Sequence, residues 1–187
     1  MKTKSKRTLT PKLRFPEFRD KGEWEESRVV DACEAVTQGG TPDTSNPQYW
    51  NGAINWITPA EMGKTDSPYI GSSERKITQA GLDNCSSVLL PTKSVIISTR
   101  APIGHLAINA CRMAINQGCK GLIPGDHLLF FFLYCSLLSA KSRLNDMGAG
   151  NTFKELSSTA LKSFTLLLPT VAEQQKIADC LGSLDVL

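Results

Sequence analysis

The chain has 187 residues, 41% of them hydrophobic and 21% charged, which is the composition of a globular domain and excludes a long disordered chain. Its net charge is +3, unevenly spread: residues 91–165 carry eight bases against three acids, and residues 29–90 carry three bases against seven acids. This distribution is compatible with a one-sided positive face or with scattered solvated charge.

The chain opens with a basic segment, since residues 1–14 hold six bases and no acid. We interpret residues 1–23 as a mobile basic arm that ends in the apolar anchor LRFPEF. Apolar residues between positions 29 and 36 then predict a helix. The loop GGTPDTSNPQYWNG, Gly39–Gly52, follows, and its Gly, Pro, Asn, Asp and Ser residues favour turns.

The middle of the chain has mainly β character. Five short runs rich in β-branched and other apolar residues predict strands: residues 54–57, 88–90, 95–99, 106–109 and 121–123. The second and third of these runs form a predicted hairpin. Ser73 is placed to cap a helix over residues 74–82.

The last third begins with a long apolar helix, predicted from Asp126 to Met147 with Gly148 as a left-handed C-cap. Thr152 and Glu155 have the spacing of a capping box. Alternating apolar residues at positions 164–168 predict a strand that stops at Pro169.

The C-terminal segment predicts one more helix, because Thr170 and Glu173 have capping-box spacing and apolar residues recur behind them at helical intervals. The stripe consists of Ile177, Cys180, Leu181, Leu184 and Leu187. Such a face must pack on its own domain, on a second helix of a longer chain or on a second copy. We expect the helix to continue in a longer protein.

These elements predict a mixed α/β (α+β) domain with a twisted sheet and peripheral helices, followed by a protruding helix. We expect a cytoplasmic protein without a membrane span, because no secretory signal opens the chain and its longest apolar run, residues 128–138, is too short to cross a bilayer. Six cysteines without a C-x-x-C pair and two distant histidines predict reduced thiols and no metal site.

Two short motifs resemble catalytic signatures. Residues 46–49, N-P-Q-Y, are similar to the N-P-P-Y of amino-methyltransferases, but no glycine-rich strand-to-helix loop is present to hold S-adenosylmethionine. Pro42-Asp43 with Glu74-Arg75-Lys76 resembles a nuclease signature, which needs its acids and lysine to converge on a metal. We expect Glu74 to lie instead in the solvated first turn of a helix, and we expect no catalytic residue and no cofactor.

Longer segments occur in a fixed order along the chain. They are the Gly39–Gly52 loop, INWITPAEM (54–62), SVIISTRAPIGHLAI (94–108), AINQGCKGLIP (114–124), GAGNTFKELSSTALKSFTLLLP (148–169) and EQQKIADCLGSLD (173–185). Together they resemble the recognition domains of specificity subunits from type I restriction–modification systems.

In that family, a subunit carries two target recognition domains, each followed by a helical spacer, and the two spacers pack antiparallel. Methyltransferase subunits use S-adenosylmethionine, and restriction subunits use ATP and magnesium. The resemblance implies that residues 24–169 read one half of a bipartite target in double-stranded DNA and that residues 170–187 begin a spacer. The alternative is an assembly module that binds methyltransferase subunits or a second half-subunit, with little DNA binding of its own.

Charge and loop placement make Arg100, Lys120 and Lys154 candidates for contacts with DNA phosphates. Arg100 is equally open to a structural salt bridge. Five polar residues are open to contact with DNA or to stabilising turns: Thr41, Asn51, Asn116, Gln117 and Thr152. Base-reading residues are expected in residues 62–87 or 109–113, which hold no shared motif.

Two further sets of residues have alternative roles. Trp50 and Trp56 are candidates for the core or for stacking on bases, with the core favoured. Three apolar residues of the last helix are the candidates for weak self-association: Ile177, Leu181 and Leu184.

Overall fold

The computed structural model describes residues 8–64, 66–100, 102–148 and 155–184. The strands in these ranges are β1 (Thr8–Leu9), β2 (Trp24–Arg28), β3 (Cys33–Gln38), β4 (Trp50–Ile57), β5 (Tyr69–Ile70), β6 (Lys76–Ile77), β7 (Val95–Ser98), β8 (Leu106–Asn109), β9 (Ala114–Ile115), β10 (Cys119–Pro124) and β11 (Thr165–Leu168). The helices are α1 (Val29–Ala32), α2 (Pro59–Met62), α3 (Gln79–Asp83), α4 (Phe130–Ser139), α5 (Lys141–Gly148), α6 (Ser158–Ser163) and α7 (Val171–Leu184).

A five-stranded sheet, in the order β3-β10-β7-β8-β5, lies at the centre. Its neighbours are antiparallel except β5 and β8, which run parallel. All four residues of β7 are buried because both faces of the sheet are covered. Val95 and Ile97 belong to the core on one face, and Ile96 belongs to a second core on the other face.

The first face is covered by helices. Phe132, Leu133 and Leu137 of α4 share the core of Val95 and Ile97, and α7 packs along α4. None of the helices in the described ranges combines the length and apolar character that crossing a bilayer requires. The predicted mixed α/β class with peripheral helices is confirmed.

The second face is covered by a smaller sheet in the order β6-β4-β9. β4 and β6 are antiparallel, whereas β4 and β9 are parallel. Trp56 of β4, Ile77 of β6 and Ala114 of β9 are buried together in a third cluster. The strand predicted at residues 54–57 is therefore confirmed and extends back to Trp50.

A third sheet, β1-β2-β11, joins the two ends of the chain. Arg14 crosses to the first turn of α7, where its guanidinium Nη2 lies 2.7 Å from a carboxylate oxygen of Glu173. Their side chains are 5% and 1% exposed, and the Trp24 indole N–H also donates to this carboxylate. From residue 8 onward, the basic segment thus contacts the domain rather than forming a mobile arm.

Only one of the two hydrogen bonds of the capping box predicted for this helix is present. The Glu173 N–H donates to the Thr170 hydroxyl at 3.4 Å, but the Glu173 side chain turns to Arg14 and Trp24 instead of the cap. Glu173 does not belong to the apolar stripe of this helix, yet it is buried. A partner distant in sequence provides the buried carboxylate with stronger hydrogen bonds than its own backbone would.

Two helices predicted in the first half have the wrong bounds, and one predicted hairpin does not form in the described residues. The helix over residues 29–36 stops after Ala32, because residues 33–38 pair with β10. The helix expected over residues 74–82 starts later, with Thr78 as N-cap, while the Ser73 hydroxyl donates to the Arg75 carbonyl oxygen. The hairpin over residues 88–99 is absent from the described pairings, since β7 pairs with β8 and β10.

The long helix predicted from Asp126 is two helices, α4 and α5, which meet at Ala140. Gly148 is the last residue of α5 and does not adopt the predicted left-handed conformation. A Cβ at this position would collide with Ile103 Cδ1, so close packing explains the glycine. The strand predicted at residues 164–168 is confirmed by β11, and Thr152 lies outside the described residues.

Candidate nucleic-acid interface

The Gly39–Gly52 loop is held against the domain by two indole N–H groups. The Trp56 Nε1–H donates to the Gly40 carbonyl oxygen at 2.8 Å, and the Trp50 Nε1–H donates to the Asp43 carbonyl oxygen at 3.1 Å. The two rings meet edge to face with centroids 5.3 Å apart. Trp56 is fully buried and is thus a core residue, as expected, whereas Trp50 is only half-buried.

Thr41, Asn116 and Gln117 form one polar cluster beside this loop. The Asn116 amide nitrogen donates to the Thr41 hydroxyl at 3.0 Å and to the Gln117 side-chain oxygen at 2.8 Å. The Asn116 side-chain oxygen accepts the Gly118 N–H at 2.8 Å, which fixes the turn between β9 and β10. These side chains therefore stabilise a turn, and the cluster leaves Gln117 exposed.

Arg100 follows β7 and reaches the same end of the sheet. Its guanidinium Nε lies 3.3 Å from the Glu155 carboxylate, so the structural salt bridge anticipated as one alternative is present. The Arg100 side chain is still 52% exposed. Since solvated ion pairs are weak and easily exchanged, this guanidinium is open to a competing anion.

Lys120 lies on β10, opposite Gln38 of β3. Its side chain is 6% exposed, and its Nζ donates to the Gln38 side-chain oxygen at 2.8 Å. Burial lowers the pKa of this ammonium group, with the nearby cations Lys162 and Arg100 acting in the same direction and Glu155 opposing. A phosphate therefore has no open access to Lys120. The predicted contact between Lys120 and a DNA phosphate is untested, and the burial of this side chain disfavours it.

Asn51 lies outside the polar cluster. It has a left-handed backbone with φ of 60°, a conformation that asparagine adopts more readily than most residues, and it stands at the bulge where β4 changes register against β6. This geometry favours the turn-stabilising alternative for Asn51. Lys154 and Thr152 lie outside the described residues.

The candidate residues gather at one end of the β3–β10 ladder. Lys120 pairs with Gln38 there, and Thr99, next to Arg100, bonds through its N–H to the Gly118 carbonyl oxygen. The other end, where Pro124 pairs with Cys33, borders an open cleft of about 980 Å³. Five acidic residues line this cleft: Glu23, Glu25, Asp31, Glu34 and Asp126. A polyanion is therefore favoured at the Lys120 end and disfavoured at the cleft.

The two stretches without shared motifs meet at Asn55. Its side-chain oxygen accepts the Ser73 N–H at 3.3 Å, and its amide nitrogen lies 3.3 Å from Cys111 Sγ. The two stretches thus contact the same residue of β4, and Cys111 Sγ also lies 3.1 Å from the Gly71 carbonyl oxygen. Hydrophobic periodicity in the sequence does not predict this contact, because the contact is made by polar side chains on separate segments.

Neither catalytic signature is assembled in the described residues. The Asn46 side chain accepts the Gln48 N–H at 3.0 Å and caps a 3₁₀ turn over residues 47–49. Glu74 precedes strand β6 instead of opening a helix, and its carboxylate pairs with Lys64 at 2.5 Å. No group of three or more His, Cys, Asp and Glu side chains in the described part is arranged to hold a metal ion.

A family model described as "Type I restriction modification DNA specificity domain" matches residues 21–186. The chain belongs to this family. Among curated relatives, the type I restriction enzyme MjaIX specificity subunit of Methanocaldococcus jannaschii is 36% identical over 168 residues, which cover 88% of this chain and 38% of that protein. The EcoR124I/EcoR124II specificity subunit of Escherichia coli is 31% identical over 156 residues, covering 80% of this chain and 38% of that protein.

Solved structures show the same fold. The HsdS subunit from Thermoanaerobacter tengcongensis aligns with a TM-score of 0.64 at 21% identity, covering 94% of this chain and 39% of that one. A chain from a study of complex assembly and conformational transition of the type I R-M system aligns with a TM-score of 0.68, covering 95% and 40%. The chain therefore spans about two fifths of the length of these relatives.

Proposed function

We propose that this chain recognises a specific sequence in double-stranded DNA and reads one half of a bipartite target for a type I restriction–modification complex. Membership in the specificity-domain family, whose model spans residues 21–186, is the observation that carries the proposal. The charge arrangement supports it, because cations and amides lie at one end of the β3–β10 ladder and acids at the other.

In this proposal, phosphate and base contacts are divided between different residues. The exposed guanidinium of Arg100 exchanges Glu155 for a DNA phosphate, and Lys154 adds a second phosphate contact. Gln117, exposed beside Thr41 and Asn116, presents an amide to the same duplex. Lys120, buried on β10 and hydrogen-bonded to Gln38, lies beneath this surface and makes no contact with the duplex.

The chain contributes no catalytic step of its own in this account. Methyltransferase subunits with S-adenosylmethionine carry out methylation, and restriction subunits with ATP and magnesium carry out cleavage. With S-adenosylmethionine or with magnesium, the purified chain should neither methylate nor nick plasmid DNA. Nicking that disappears in Glu74→Gln would contradict this part of the proposal.

An assembly module is the second candidate, and the exposed side of α7 favours it. Ala178 is buried against the domain, but Cys180 and Leu181 on the same helix are exposed, the latter by 38%. A module of this kind would bind methyltransferase subunits or a second half-subunit and would bind DNA little. Affinity for DNA therefore distinguishes the two candidates.

The test is fluorescence anisotropy of the chain on a 30-bp duplex at several salt concentrations. We expect weak binding that falls steeply with salt, since phosphate contacts release counterions. Arg100→Ala with Lys154→Ala should weaken binding and lower the slope of log affinity against log salt by about 2. Arg19→Ala with Lys21→Ala, which removes the same charge elsewhere, is the matched control. No binding at low salt would favour the assembly module.

A further inference from the structure

The Arg75 guanidinium lies over the ring of Trp50, beside the Gly39–Gly52 loop. Its guanidinium Cζ is 3.7 Å from the ring centroid of Trp50 and 5.4 Å from that of Trp56. These rings are the pair whose indole N–H groups hold the loop through Gly40 and Asp43. Arg75 therefore packs on the tryptophans that hold the Gly39–Gly52 loop, and this loop also contains Thr41 of the polar cluster.

The backbone of Arg75 is fixed as well as its side chain. Its carbonyl oxygen accepts the Trp56 N–H at 3.3 Å and the Ser73 hydroxyl at 2.6 Å. An arginine held at both ends has little side-chain freedom left to lose on binding, which favours a specific and geometrically exact contact.

The guanidinium is exposed and makes no hydrogen bond or ion pair with the part of the chain that the structure describes. Three other arginines, Arg14, Arg28 and Arg100, are paired with the carboxylates of Glu173, Asp31 and Glu155. The nearest acid in sequence, Glu74, is engaged by Lys64. Stacking leaves the edge of a guanidinium, with its fork of N–H donors, available to a ligand.

We infer that Arg75, oriented by Trp50, is a base-reading residue that donates two hydrogen bonds to a guanine in the major groove. This inference rests on the proposed function. A planar, preoriented fork matches the O6 and N7 acceptors of guanine, which is the commonest specific contact of arginine with DNA. Exposed Lys76 and Arg112, on the two stretches that meet at Asn55, add positive charge near this position.

The test is selection of bound duplexes from a library with a randomised 20-bp centre, using the chain, Arg75→Gln and Arg75→Lys. The chain should enrich a motif with a required guanine at one position. Both variants should lose the preference at that position by about 5- to 150-fold and keep the rest of the motif. Arg19→Gln, an exposed arginine on another surface, is the control and should enrich the unchanged motif.

Each alternative outcome has a definite meaning. If Arg75→Gln weakens all sequences equally and Arg75→Lys restores binding, then Arg75 contacts a phosphate and the inference is overturned. If both variants melt at lower temperature but enrich the full motif, the stack is structural and the inference is again overturned. If Arg75→Gln does not fold, Arg75→Lys decides, because it keeps the charge and an alkyl stem over the ring. A chain that enriches no motif removes the proposed function as well.

Discussion

At the scale of single residues, Lys120 gives a clear link between burial and stability, because an ammonium group buried beside one amide is poorly solvated. Its pKa is lowered from the ordinary value of 10.5, mainly by burial. Between the lowered pKa of the folded chain and 10.5, the unfolded chain therefore holds this proton more tightly than the folded chain does. Wild-type stability gains from this group as pH rises toward 10.5.

Lys120→Met should therefore leave the melting temperature at pH 7 unchanged or raise it. The partner Gln38 is exposed, so water replaces the lost hydrogen bond. Any advantage of the variant over wild type should shrink as pH approaches 10.5. Thermal melts from pH 7 to 10 check this, with Lys12→Met as control, because Lys12 is exposed and is not among the groups that shift the pKa of Lys120. A marked loss of stability at pH 7 would mean that the lysine is needed in its charged form.

Gly40 lies where the Gly39–Gly52 loop closely approaches the backbone of Ser86 and Ser87, which leaves no room for a side chain. A Cβ there would lie 2.6 Å from the Ser87 backbone nitrogen, and neither backbone can move without shifting the loop. Gly40→Ala should lower the free energy of unfolding by about 1–3 kcal/mol. Gly71→Ala is the control, because its Cβ would lie 3.8 Å from Ala110 Cβ in ordinary contact. Equal denaturant midpoints for the two variants would contradict this explanation.

At the scale of elements, α7 is fixed at its start by buried polar groups. The Arg14–Glu173 pair holds one side, and the Gln174 amide joins the carbonyl oxygens of His127 and Pro169 and the Leu129 N–H. Glu173→Gln should lower the melting temperature by several degrees, because it leaves the buried Arg14 without its counterion.

The exposed pair Lys176–Glu17 joins the same helix to the N-terminal segment. Glu17→Gln is therefore the matched control and should leave the melting temperature nearly unchanged, because solvated ion pairs contribute little. Differential scanning calorimetry of both variants makes the comparison. Equal melting temperatures would show that the Glu173 pair does not anchor α7.

The elements also show what sequence patterns can predict. β7, β8 and β11 were predictable because β-branched or alternating apolar residues are bounded by turn residues. The helix predicted over residues 29–36 overlaps the start of β3, because the preference of residues 33–36 for a strand comes only from pairing with β10, a partner more than eighty residues away. At the candidate site, Arg100 was found from its position after a strand. The position of Arg75 over Trp50 joins the residue before β6 to the first residue of β4, and such a contact leaves no periodic signal.

At the scale of the whole molecule, the exposed side of α7 is the predicted site of self-association. We expect a monomer in dilute solution with weak, concentration-dependent dimerisation through this helix, because one patch can meet itself across a two-fold axis. Leu181→Asp with Leu184→Asp should abolish the dimer, whereas Gln175→Asp with Ser183→Asp adds the same charge to the helix and serves as control. Sedimentation at several concentrations tests this, and a tight dimer that survives the first pair of changes would place the interface elsewhere.

Whether this chain reads DNA sequence is decided by a ratio of two affinities. The dissociation constant of the chain is measured at 150 mM salt for a duplex enriched by selection and for a duplex of the same composition with scrambled order. Since each wrong base pair costs about 1–3 kcal/mol, a half-target of a few base pairs predicts a ratio of at least about tenfold. Equal affinities for the two duplexes would show that the chain binds DNA without reading its sequence.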